Sequence, residues 1–384
     1  MSMIAYIADE IFDGKRCHYE AALLVEDGQI DGIIPVDQIP VSAKQHSLNS
    51  GTIVPGFVDL QINGGGGVMF NDDPSVEALK TISAAHAQLG TTAMLPTLIT
   101  DTSAHTLAAI DAVEQAISQG VAGIIGLHLE GPHLSVARKG AHDPSLIRPM
   151  QTEDLNLLLA AAKRLPYLMM TVAPENTTAE QIKVLTDAGV IISLGHTDAG
   201  YQDCKIAADH GASCATHLFN AMSQFTGREP GLVGAALDTP DMHAGLIADG
   251  IHVSPASIRT ALAAKQGPAA IFLVTDAMAT VGSDMTEFTL NGRTIYRRDR
   301  CLRLADGTLA GADLDIPTAL QFMCGEVGVS REQAIAMATS GPAAVLKTDQ
   351  VGYLTKGMSA SFVHLDNDLN LKSVWQNGAF LASA

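Results

Sequence analysis

The stretch GIIGLHLEGPHL, residues 123–134, is an apolar run of strand length that places a histidine and a carboxylate on alternate positions and then breaks at Gly131-Pro132. With a period of two, His128 and Glu130 point to one face and Leu127 and Leu129 to the other. Glu130, nearer the strand end, reaches the mouth of whatever the strand builds. His128 lies one layer deeper and reads as a lining or supporting group. His133, past Pro132, belongs to the loop.

Seven further runs share this shape: TIVPGFVDLQIN (52–63), TTAMLPTLI (91–99), YLMMTVAPE (167–175), VIISLGHT (190–197), CATHLFNA (214–221), HAGLIADGIHV (243–253) and AIFLVTDAM (270–278). Between several of them lie stretches of helical period with readable starts. Asp73 before Pro74 and Ser254 before Pro255 read as N-caps, and Thr177 with Glu180 as a capping box. Strands alternating with helices imply a parallel sheet, and eight such units imply closure, so the expected fold class is α/β, a (β/α)8 TIM-like barrel. A doubly wound open sheet is the alternative. The flanks break the rhythm with short extended runs and turns, as in AALLVEDGQIDGII (21–34) and SASFVHLDNDLNLKSVWQNG (359–378). They suit a small β-sandwich domain formed by residues 1–51 and 345–384, with the barrel inserted as residues 52–344.

Composition narrows the function. The 384 residues are 47% hydrophobic, ample for a core, and the formal charge of −18 argues against nucleic acid or anionic lipid as a partner. An anionic substrate would have to be met by local positive groups. The first ten residues lack a basic start followed by an apolar core, and no apolar run of membrane-spanning length occurs, which points to a cytoplasmic location. Five scattered cysteines without a C-x-x-C indicate neither a disulfide framework nor a thiolate metal site.

Almost every strand stops on polar residues: Gln61 and Asn63, Thr97, Glu130, Glu175, His196, His217, His252 and Asp276. In a barrel those ends share the face where active sites sit. A lone buried histidine is more often a hydrogen-bonded core residue than a ligand, so the weight lies in convergence. Glu130, His196 and His217, from strands 3, 5 and 6, would supply two imidazoles and a carboxylate. That is the open three-ligand set of a catalytic metal, with a fourth position for water. Asp276 reads either as the base that takes a proton from that water or as a cap for a helix after β-strand 8. In FNAMSQFTGREPG (219–231), Asn220 and Arg228 offer a polar loop and a planar fork suited to phosphate.

Taken together, PGFVDLQINGGGGVMFND, LHLEGPHL, KGAHDP, SLGHT, THLFNAM, GREPGLVGA, ADGIHV, VTDAM and GTLAGA, in this order and at these intervals, resemble the N-acetylglucosamine-6-phosphate deacetylase family of the amidohydrolase superfamily. The resemblance covers essentially the whole chain. It implies hydrolysis of the acetamide of N-acetyl-D-glucosamine 6-phosphate to glucosamine 6-phosphate and acetate in a metal-bearing barrel, usually as a homodimer; the expected metal is one divalent ion, Zn2+ by preference. By motif, Glu130, His196 and His217 resemble the metal ligands and Asp276 the acid/base. His142, beside Ala141, resembles the group that polarises the acetamide carbonyl. Asn220, Ala221 and Arg228 resemble the phosphate and sugar contacts, and Asp249 with His252, and Leu309, Ala310 and Gly311, the remaining substrate-binding stretches.

One departure from the wider superfamily bears on the metal count. Many of its members end strand 1 in H-x-H, which holds a second metal, whereas this chain has Gln61-x-Asn63, and strand 4 ends without a lysine to bridge two ions. A one-metal site is expected. Rival readings are a deacetylase for N-acetylgalactosamine 6-phosphate, a non-catalytic sugar-phosphate binding protein, and a cyclic-amide hydrolase, the last disfavoured by the same departure.

Overall fold

The first apolar run divides at Gly56. Thr52–Pro55 pairs with Glu10–Phe12 and with Phe362–Leu365, whereas Phe57–Ile62 (β1) opens the barrel. A Cβ at Gly56 would stand 2.1 Å from Thr92 Oγ1, so only glycine lets the chain pass from one sheet to the other here. The computed structural model describes residues 3–48 and 50–383.

After β1 come Thr91–Ile99 (β2), Leu127–Glu130 (β3), Leu168–Val172 (β4), Ile191–Leu194 (β5), Cys214–Ala215 (β6), His243–Leu246 (β7) and Ile271–Leu273 (β8), each hydrogen-bonded in parallel to the next. They are buried on both faces because helices cover the outside and side chains fill the inside. The ladder runs from β1 round to β8 and is nearly closed. At the remaining seam the Asp276 amide donates to Gln61 O (3.0 Å) and the Asn63 amide to Ala277 O (2.8 Å), around an isolated bridge between Ile62 and Ala277.

The helix starts match in one case and shift by a residue or two in others. Ser254 caps Pro255–Ala264 through the Ser257 amide, as expected. The helix Val76–Gln88 is capped by Ser75, not Asp73, because the Ser75 hydroxyl is the oxygen that reaches the Ala78 amide (3.1 Å). The capping box is formed by Thr178 and Gln181, one residue beyond Thr177 and Glu180.

Strands from both ends of the chain form two further sheets. One orders Gln29–Pro35, Ala21–Glu26, Met3–Ile7 and Lys44–Ser47. The other orders Ala379–Ser383, Leu371–Gln376, Phe362–Leu365, Thr52–Pro55, Glu10–Phe12 and Cys17–Tyr19. Their shared core contains Tyr6, Ile11, Leu23, Ile53, Phe362 and Trp375, with the last two rings stacked at 4.6 Å. A three-stranded sheet after β8, made of Glu287–Leu290 (β9), Arg293–Arg298 (β10) and Cys301–Leu304 (β11), had no counterpart among the expected elements. Its buried positions, Phe288, Leu290, Ile295, Leu302 and Leu304, alternate with polar or charged ones, so it does not stand out as a buried run. Among the described residues no helix is long and apolar enough to cross a membrane.

Candidate active site at the barrel mouth

The strand ends enclose a cavity of about 390 Å³. Glu130, at the last position of β3, and His196 and His217, just past β5 and β6, converge in it. Glu130 Oε1 lies 3.2 Å from His196 Nε2 and 3.0 Å from His217 Nε2, and the two Nε2 atoms are 3.1 Å apart. His196 Nδ1 lies 2.8 Å from Arg138 O, which fixes the proton on Nδ1 and leaves Nε2 a lone pair. His217 Nδ1 is buried and has no hydrogen-bond partner among the described residues.

Burial alone would raise the Glu130 carboxyl, but the contacts with His196 and His217 outweigh it and hold the group well below its usual range. The same contacts, against burial, hold His217 above its ordinary value. A buried carboxylate and two imidazole nitrogens at these separations form a donor set able to hold a cation. His142 stands close by, with Nε2 3.7 Å from Glu130 Oε2 and Nδ1 2.8 Å from Thr100 Oγ1. Glu130, His142 and His196 also satisfy the separation expected of a metal cluster. Burial and the neighbouring His196 push His142 down to about 3, so its ring is neutral.

Asp276 faces this group from the other side of the mouth. Asn63 Nδ2 and Gln61 Nε2 both donate to its Oδ1, at 2.6 and 3.2 Å, and Gln61 Nε2 is also 3.2 Å from Glu130 Oε1. Burial and the charge of Glu130 push the Asp276 carboxyl up to about 6. His196, His217 and Asp276 all adopt positive φ, at 46°, 30° and 51°, a region that side chains other than glycine rarely occupy. Each sits at the turn where a strand leaves the barrel, and such strain collects at functional sites.

The sequence-derived candidates sort clearly. Ala141, His142, Asn220, Ala221, His252, Leu309 and Gly311 line the cavity with the four residues above. Asp249 lies behind His252, with its Oδ2 2.6 Å from His252 Nδ1, and Ala310 is buried beneath the lining. Arg228 is exposed and does not line the cavity. Glu175 accepts from the Thr197 hydroxyl (2.5 Å) and the Asp198 amide, outside the cavity. His128 is a buried supporting group: Nδ1 lies 3.0 Å from Leu60 O and Nε2 2.8 Å from Thr171 Oγ1, and burial pushes it down to about 4.

Sequence reading did not single out Arg138, which lines the cavity and pairs with Asp198 at 2.8 Å, or Leu290 of β9, which forms part of the wall. Arg138 is four residues before His142 in the same loop, and a cation so close to a named site residue was the available signal.

Comparisons with known proteins agree with this architecture. A model of the amidohydrolase family matches residues 52–381. The chain is 44% identical over 365 residues to N-acetylgalactosamine-6-phosphate deacetylase of Shewanella sp. (strain ANA-3), covering 94% of this chain and 92% of that one. It is 35% identical over 344 residues to N-acetylglucosamine-6-phosphate deacetylase of Haemophilus influenzae, covering 88% and 89%. The crystal structure of N-acetylglucosamine-6-phosphate deacetylase from Pasteurella multocida superposes with a TM-score of 0.95 at 35% identity over the full length of both chains. The chain therefore belongs to the amidohydrolase family.

Proposed function

We propose that this protein is an N-acetylhexosamine-6-phosphate deacetylase that releases acetate from N-acetyl-D-glucosamine 6-phosphate with one divalent metal per chain. The observation that carries the reading is the convergence of Glu130, His196 and His217 opposite Asp276 in one cavity. The donor set fits a cation: two Nε2 atoms 3.1 Å apart share one carboxylate oxygen, an arrangement that a metal among them would satisfy. The His2Glu composition suits Zn2+, and amides at Gln61 and Asn63 favour a single ion.

When bound, the metal supplies Lewis-acid polarisation and acidifies a water. The chain's own groups do the rest. Because Gln61 and Asn63 both donate to Asp276 Oδ1, Oδ2 is left to take the proton from the attacking water and return it to the leaving nitrogen. Its carboxyl, at about 6, is mostly ionised at neutral pH yet can hold a proton in transit. The role of His142 is to donate Nε2–H to the carbonyl oxygen as charge develops there; in the tautomer this requires, the Thr100 hydroxyl 2.8 Å away donates to Nδ1. Asn220 and Ala221 supply polar contacts for the sugar phosphate, with Arg228 reaching it from the exposed loop. Asp249, His252 and the Leu309–Gly311 segment complete the substrate wall. In this reading residues 52–344 form the catalytic domain, less the strand Thr52–Pro55, which pairs within the small domain built from residues 1–51 and 345–384. A homodimer and a cytoplasmic location belong to the same reading and rest on the family.

A second reading, deacetylation of N-acetyl-D-galactosamine 6-phosphate, is favoured by the 44% identity to the Shewanella enzyme. The two sugars differ in one hydroxyl configuration. Comparing kcat/KM for acetate release from each sugar separates the readings. Equal inertness toward both would refute the deacetylase assignment.

A further inference from the structure

We propose that Asp59 is a positioning residue for Asp276, holding Thr275 and thereby the strained turn that aims the Asp276 carboxylate into the cavity. The inference rests on the reading of Asp276 as the proton carrier.

Asp59, Gln61 and Asn63 occupy alternate positions along and just beyond β1, so all three point to one face of the chain. Gln61 and Asn63 reach Asp276 directly. Asp59, one layer deeper, reaches Thr275. Its Oδ2 accepts the Thr275 hydroxyl at 2.5 Å and the Thr275 amide at 3.2 Å, while Oδ1 accepts the Gln61 amide at 3.1 Å. The Thr275 hydroxyl in turn lies 3.3 Å from the Ala277 amide, which donates to it. One hydroxyl thus spans Asp276, tied to Asp59 below and to the residue after Asp276 above.

This staple sits where the barrel ladder is incomplete. The β1–β8 seam has an isolated bridge in place of a continuous ladder, and the residue it must hold in place has φ of 51°. A strained conformation persists only when its surroundings over-determine it. The Asp276 amide on Gln61 O and the Asp276 carbonyl accepting from the Ala312 amide (2.9 Å) fix the backbone of the residue itself. Asp59 fixes the residue before it.

The arrangement is also an expensive one for structure alone. Asp59 is fully buried with neutral hydrogen-bond donors as its partners, and a buried carboxylate without a cation is costly to desolvate. The metal-binding candidates are carried by β3, β5 and β6 and not by the seam strands, and the one hydrogen bond between the two among the described residues, Gln61 Nε2 to Glu130 Oε1 at 3.2 Å, is why metal content is measured beside kcat.

The test uses the full-length, metal-loaded enzyme, with acetate release from the phosphorylated N-acetyl sugar, metal content and thermal unfolding as readouts. D59A and T275V are expected to lower kcat by about 10- to 100-fold, as a displaced catalytic group would, with KM and the metal-to-chain ratio unchanged. D59N, which keeps one of the two oxygen acceptors, is expected to recover part of the loss. On a D276A background, D59A should add nothing, because the two act as one unit. Full kcat in D59A and T275V, a further loss on the D276A background, or a loss that tracks metal content would overturn the proposal. If D59A does not fold, T275V, which removes one hydroxyl, decides alone. Full activity of D276A would instead refute the role of Asp276. An inactive D276A with fully active D59A and T275V refutes Asp59 alone.

Discussion

Asn63 donates its side-chain amide to Asp276 Oδ1 across 2.6 Å, at the place where β1 and β8 meet. The strand-1 amides therefore orient a carboxylate. The consequence is that one oxygen of Asp276 is occupied and the other is directed into the cavity.

Replacing Asp276 by Asn keeps these contacts in shape but removes the base. Turnover should fall by at least about 100-fold, the lower end of what general acid–base catalysis contributes, while metal content stays at the wild-type ratio. Asp276 must be ionised to accept a proton, and burial with the Glu130 charge pushes its carboxyl up to about 6. A cation bound beside it draws that value down. The pH profile of kcat/KM should therefore be level above about pH 6 and fall as the pH drops below it. An acid limb centred near pH 8 would contradict the assignment.

His142 has a neutral ring, pushed down to about 3 by burial and His196, so it acts as a hydrogen-bond donor and not as a charge. H142A should lower kcat by about 100- to 1,000-fold, the loss typical of an oxyanion donor, and leave metal content unchanged. Because His142 also lies within ligand range of Glu130 and His196, metal analysis of this variant is the decisive readout. Loss of the ion would make His142 a ligand.

Removing the metal should abolish turnover and lower the unfolding temperature, since an ion that binds only the folded chain stabilises it by mass action. H217N should reproduce both effects without a chelator, through loss of the nitrogen that faces Glu130 Oε1. Undiminished metal binding in H217N would remove His217 from the ligand set.

Asp59 should leave a signature in the stability of the metal-free protein. Burial pushes its carboxyl from an ordinary 3.8 up to about 7, so the folded chain holds this proton more tightly than the unfolded chain does. Its contribution is fully present below about pH 4 and is lost as the pH rises through about 7. D59N stays neutral throughout. Its urea stability relative to wild type should rise between pH 5 and pH 8, by up to a few kcal/mol. Parallel curves for the two proteins would show that Asp59 does not titrate in this range.

Most of the barrel was legible because each buried strand is a continuous apolar run that stops on a polar residue. β2 was recovered in full as Thr91–Ile99. The run 52–63 was not divided by its composition, because Gly56 separates two strands that are both mostly apolar and equally buried. Several strands proved shorter than their runs. β6 keeps two residues of CATHLFNA, since His217, Phe219 and Ala221 all adopt positive φ and leave the ladder. β9 to β11 escaped notice because their few buried apolar residues are interleaved with polar or charged ones, over a mouth that no local pattern announces. In the site, residues at strand ends could be found from position alone. Arg138 and Leu290 could not, because they reach the cavity from a loop and from an added sheet.

The measurement that bears most directly on a one-metal deacetylase is acetate release from N-acetyl-D-glucosamine 6-phosphate by metal-stripped protein, as Zn2+ is returned stepwise. The expected result is no turnover without metal and activity that saturates near one ion per chain. Saturation near two ions per chain would contradict the single site, and inactivity at every metal level toward this sugar and its galacto epimer would contradict the function.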